Sequence, residues 1–189
     1  MKKVRFEVLG IETELGESYF FFDDGFQKDM LKYENRLCKY YRKSKSSKWW
    51  DNKVYPAGLC LKVSSINFYG TRVHIGYLKG SDDFLNLLHR SHEETHALQH
   101  LGKRRLLEDE IVENYGGRIN LAEADMETAA VIGSLYVLAK YPCFSFLSFE
   151  DVIEGKGKNE RNINHYDIGR VKEAYDLFSE ANKRLNSRT

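Results

Sequence analysis

The chain has little that would staple it or anchor it from outside its own core. Its three cysteines, Cys38, Cys60 and Cys143, are odd in number and widely spaced. That excludes a disulfide framework and a CxxC zinc knuckle, and three reduced, buried thiols are expected. No apolar run approaches the length of a membrane span. The opening "MKKVRFEVLG" carries basic residues but no apolar stretch of the kind a signal peptide needs, so a cytoplasmic protein with no membrane partner is expected. Charge of one sign is also missing: the net value of +1 argues against wholesale binding of a polyanion. What remains is a soluble composition, 42% apolar and 30% charged over 189 residues, enough for one domain with a real core.

Two runs rich in Val, Ile, Phe and Tyr flank "ELGES" and predict a β-hairpin in residues 4–22. Phe26, Met30, Tyr33, Leu37 and Tyr40 recur at helical spacing and predict an amphipathic helix over 26–42. "GLCLKVSSINFYGTRVHIGYL" reads as two strands joined at Tyr69-Gly70-Thr71. Gly80-Ser81-Asp82-Asp83 then supplies a breaker, a cap and two acids for a helix that Gly102 stops. A short helix is expected at "LLEDEIVENY". A long apolar helix opened by Asn120 is expected to end before Pro142, one of only two prolines. Ile168, Val171, Tyr175, Phe178, Ala181 and Leu185 trace a C-terminal amphipathic helix. The expected organisation is an N-terminal hairpin and basic, aromatic helix (1–57) joined to a core with the C-terminal helix (58–189) in one compact unit.

Chemistry concentrates in "HEETHALQHLG", residues 92–102. His92-Glu93-Glu94-Thr95-His96 fits H-E-x-x-H within the predicted helix. At 100° per residue the two imidazoles lie about 40° apart and one turn apart, so they can converge on one ion. Glu93, beside His92, is placed to reach a zinc-bound water and take its proton during attack on a carbonyl. The apolar line of the helix does not need these histidines for packing. His100 continues the four-residue step but lies about 12 Å along the axis from His92, too far to share the ion.

The third ligand must come from elsewhere. Glu123 is the first choice, with Glu127 and the acids Glu108, Asp109, Glu110 and Glu113 as alternatives. With Glu123 as ligand, Glu127 or Asp125 would hold the free ring N–H of a ligand histidine. His165, Tyr166 and Tyr115 are candidates for a further donor to the transition state.

The run from His92 to His96, the following "ALQHLG", and Glu123-Ala124-Asp125-Met126-Glu127 with Ala130 resemble the gluzincin metallopeptidases, most nearly the small ImmA/IrrE-type domains. The likeness spans about residues 58–141. Thr95 stands where that family has Gly, and Met126-Glu127 where it has Ala-Asn. The resemblance implies a zincin-like α+β fold: a small, mostly antiparallel sheet beside an HExxH helix and a Glu-bearing helix, with further helices at both ends. It implies Zn2+ held by His92, His96 and Glu123, Glu93 as base, and a regulatory peptidase acting on a peptide or protein substrate. It also makes "TRVHIGYL" the strand that would pair with an extended peptide.

A second reading starts from the other end of the chain. Residues 32–53 hold eight Lys or Arg and two acids, interleaved with Tyr33, Tyr40, Tyr41, Trp49 and Trp50. Such a segment can hold single-stranded nucleic acid by phosphate contact and base stacking. The alternative function is thus a non-catalytic adaptor, stabilised by zinc, that binds nucleic acid or protein.

Overall fold

A computed structural model describes residues 2–15, 19–22, 58–64, 71–77, 83–152 and 167–186. The predicted helix over 26–42, the basic and aromatic segment 32–53, His165 and Tyr166 lie outside them. The described part is mixed and mostly helical. Strands β1 (Lys2–Phe6), β2 (Ile11–Leu15), β3 (Tyr19–Phe22), β4 (Gly58–Ser64) and β5 (Thr71–Tyr77) precede helices α1 (Asp83–His100), α2 (Arg104–Tyr115), α3 (Met126–Leu138) and α4 (Ile168–Asn186). A 3-10 turn, Pro142–Phe146, links α3 towards α4.

The N-terminal hairpin forms one step earlier than the sequence predicts. β1 and β2 are antiparallel, Phe6 opposite Ile11, and the turn is residues 7–10, closed by Gly10 N–H to the Phe6 carbonyl and by a positive φ of 74° at Gly10. Positive φ costs glycine nothing, so the chain reverses here rather than around "ELGES". β3 does not join that hairpin. It pairs in parallel with β5, which also pairs antiparallel with β4, giving the order β3-β5-β4. β5 is therefore the central strand, with neighbours along both edges. Between Val73 and Gly76 both of its edges are paired, so that stretch has no open edge for an added peptide strand.

α1 packs against β4, β5 and α3, and α3 in turn against α4. Residues Thr128 to Leu138 of α3 are all buried. A helix apolar on every side belongs in the middle of a core, and α3 occupies that place. Leu98, Leu107, Ile111, Ile132, Leu135 and Phe178 pack in one cluster with it, each side chain contributing about 1.5–3 kcal/mol on burial.

Several terminators act as read. At the end of α1 the Gly102 N–H bonds the Gln99 carbonyl and the Lys103 N–H the Leu98 carbonyl, with Gly102 at φ 69°. This is the paired bonding of a Schellman stop. Gly116 ends α2 in the same left-handed conformation. Cys143, by contrast, is exposed rather than buried.

α1 and α3 approach closely where Gly133 faces Thr95. A Cβ at Gly133 would fall well inside contact distance of Thr95 Oγ1, which is itself held by donation to the Ser91 carbonyl. Gly133→Ala is expected to destabilise the fold by about 1–3 kcal/mol in urea unfolding, the usual cost of overpacking. Adding Thr95→Ala should return most of that loss, because it removes the atoms the new methyl meets.

Candidate metal centre

α1 is held to the N-terminal hairpin by a carboxylate buried within the HExxH stretch. Glu94 is fully buried and accepts from the Val8 and Leu9 N–H groups, each at 3.1 Å, while Arg90 bridges it to Glu7. Burial pushes the Glu94 carboxyl up to about 7 against these bonds and against the Arg90 charge. Glu94 thus faces away from the neighbouring chemistry and fixes the rotation of the helix that carries it.

On another face of α1, His92 and His96 turn towards each other as the four-residue step requires. Their rings lie 4.7 Å apart between centroids and nearly perpendicular, with Nε2 to Nε2 at 3.2 Å. The carboxylate that joins them is Glu127. Its Oε2 lies 3.4 Å from His92 Nε2 and its Oε1 3.4 Å from His96 Nε2. Among the described residues, these three form the one group of His, Cys, Asp or Glu side chains close enough to hold a metal ion together.

Glu123, expected as the third ligand, is elsewhere. It is 70% exposed and its carboxylate sits 3.7 Å from the Arg170 guanidinium. The reason is the true start of α3. Asp125, not Asn120, is the N-cap: its side chain accepts from the Thr128 N–H at 2.8 Å, and the helix begins at Met126. Glu123 therefore lies in the irregular stretch before the helix, whereas Glu127 occupies its first turn, on the side facing α1. Asp125 is used as the cap and does not hold a histidine.

The remaining candidates are engaged away from the histidines. Glu108 accepts from the Ala122 N–H, and Glu110 accepts from the Tyr136 hydroxyl. Asp109 and Glu113 are surface residues outside the group. His100 is half-buried at the end of α1 and also stays outside. Tyr115 is in the core, donating to the Tyr136 carbonyl, and burial pushes its hydroxyl up to about 12.

Two residues complete the surroundings. Glu93 is 5% exposed, and its charge acts on His96. Gln99, which sequence reasoning passed over, lies with Oε1 2.9 Å from His96 Nδ1 and donates from Nε2 to the Met126 carbonyl. Burial by itself would lower the His96 pKa, but the bond to Glu127 and the charges of Glu93 and Glu127 outweigh it, and it is raised. The same two imidazoles hold the Glu127 carboxyl well below the usual carboxylate range, His92 contributing most.

The donor set fits a small divalent ion. Bonds of about 2.0–2.1 Å in a tetrahedron place neighbouring ligand atoms about 3.3 Å apart. The Nε2–Nε2 separation of 3.2 Å is close to that edge, a different Glu127 oxygen lies 3.4 Å from each imidazole, and one ligand atom from each of the three residues lies within 4.8 Å of the others. Two imidazoles and one carboxylate are also the ligand types zinc prefers when one coordination position is left open. No helix among the described residues is long and apolar enough to cross a membrane.

No protein-family model, curated protein or solved structure matches the chain.

Proposed function

We propose that this protein is a zinc-dependent peptidase of zincin-like fold, with His92, His96 and Glu127 as ligands and Glu93 as general base. The observation that carries the reading is the convergence of two Nε2 atoms 3.2 Å apart with the Glu127 carboxylate, one oxygen 3.4 Å from each, next to a buried glutamate outside that group. A structural zinc site closes with four protein ligands, whereas three ligands plus a neighbouring base is a hydrolytic arrangement. When bound, zinc supplies Lewis acidity to a carbonyl and to the attacking water. Glu93 takes the proton from that water as it adds to the peptide carbonyl, and returns it to the amine that leaves. The motif's likeness to gluzincins, and to ImmA/IrrE-type domains in particular, favours a regulatory cytoplasmic enzyme acting on a protein partner. Glu127 takes the ligand role that the likeness would give Glu123.

Elemental analysis and peptide hydrolysis test this together. The purified protein is expected to carry about one equivalent of zinc, to lose it on His96→Ala, and to cleave members of a peptide library. Zinc without cleavage would favour the adaptor reading, and absence of any bound divalent ion after metal supplementation would remove the enzyme reading.

A further inference from the structure

The Gln99 bridge determines where a proton sits. A carbonyl oxygen can only accept, so the end of the amide facing the Met126 carbonyl must be its NH2 group. The end facing His96 is then the amide oxygen, which also only accepts. The hydrogen between Gln99 Oε1 and His96 must therefore come from the ring, on Nδ1. With the Nδ1 proton held by Gln99, Nε2, the nitrogen that faces His92 and bonds Glu127, is the position that can give up its proton and present a lone pair to an ion.

The bridge also connects two elements. Gln99 stands three residues after His96 on α1, and Met126 immediately precedes Glu127 in the first turn of α3. One side chain thus ties the ring of one ligand to the backbone that delivers another.

We propose that Gln99 is the positioning residue of the metal centre: it holds His96 in the Nδ1–H form with Nε2 aimed at the ion, and it sets the first turn of α3 against α1. The proposal rests on the metal-binding reading above for its consequence, but the tautomer it assigns belongs to the chain alone. A carboxylate or backbone carbonyl commonly orients a ligand histidine. A side-chain amide does this without adding a charge to those of Glu127 and Glu93.

Two readouts test it. Co2+ affinity, measured by competition with a chelator, is expected to fall about 10–100-fold in Gln99→Leu, the range for loss of such a partner. Gln99→Glu keeps an acceptor for Nδ1 but loses the donor to the Met126 carbonyl, so it should restore the ring signal and only part of the affinity. In metal-free protein, 15N NMR of the His96 ring should show Nδ1 protonated in the parent and the proton moved towards Nε2 in Gln99→Leu. Should Gln99→Leu fail to fold by circular dichroism, the unbranched Gln99→Met takes its place.

Unchanged affinity with an unchanged ring signal would overturn the proposal. So would a fall in affinity with Nδ1 still protonated, which would reduce Gln99 to packing. A parent that binds no Co2+ yet shows the Gln99-dependent Nδ1 proton would remove the metal reading and leave the tautomer assignment standing.

Discussion

Glu127→Ala is expected to strip the protein of its divalent ion, while Glu123→Ala leaves the ion bound. The two residues are four apart and chemically identical, so the pair isolates position from residue type. Glu127 offers an oxygen to each imidazole at 3.4 Å, whereas the exposed Glu123 pairs at 3.7 Å with the half-buried Arg170 guanidinium. Losing a direct ligand should cost more than about 100-fold in zinc affinity, beyond the ~10–100-fold that loss of an outer partner costs. Removing Glu123 breaks a long ion pair whose carboxylate is solvent-exposed, worth about 1 kcal/mol or less, and should leave affinity unchanged. Isothermal titration with zinc on both variants, with circular dichroism to confirm that α3 survives, measures the contrast. The Asp125 cap and its bond to Thr128 do not involve the Glu127 side chain, so the helix start should persist. Equal affinity in both variants, or loss only in Glu123→Ala, would return the third ligand to the irregular stretch before α3.

That contrast also marks where the sequence was readable. H-E-x-x-H depends on a period, and a helix stopped by Gly102 keeps that period, so the convergence of His92 and His96 could be read from spacing alone. β4 and β5 were equally legible, because two short strand-like runs of Leu, Val, Ile and Tyr close together in sequence favour a local antiparallel pair. The third ligand depended on a boundary. Asn120, Asp125 and Thr128 all carry side chains that can cap, and the chain stays irregular until Asp125 through remote contacts: burial of Ile119, Leu121 and Ala124, and bonds from Arg104, Glu108 and Arg170 to the backbone of that stretch. Two further features rest on contacts remote in sequence. The parallel pairing of β3 with β5 joins segments about fifty residues apart, and no local pattern encodes it. Gln99 looks like one polar residue among several near a helix end until α3 brings the Met126 carbonyl within 2.9 Å.

The decisive enzymatic prediction concerns Glu93. Glu93→Gln replaces an acceptor of protons with an amide of nearly the same shape, so zinc content and thermal stability should stay close to those of the parent. Hydrolysis should fall by about 10²–10⁴-fold in kcat, the usual contribution of a positioned general base. The discrimination comes from what a buried acid at this place is for. Glu94, its neighbour, is accounted for structurally by two backbone N–H groups and Arg90. Glu93 is also buried, at 5% exposure, stands outside the ligand group and acts on His96 through its charge. An adaptor that keeps zinc for stability has no need of a base at this point, and Glu93→Gln would then alter neither its fold nor its partner binding. Steady-state kinetics on a peptide that the parent cleaves, with zinc measured on the same samples, separates the two. Full activity in Glu93→Gln with zinc retained would exclude this carboxylate as the base, and the hydrolytic mechanism would need a proton acceptor from another element.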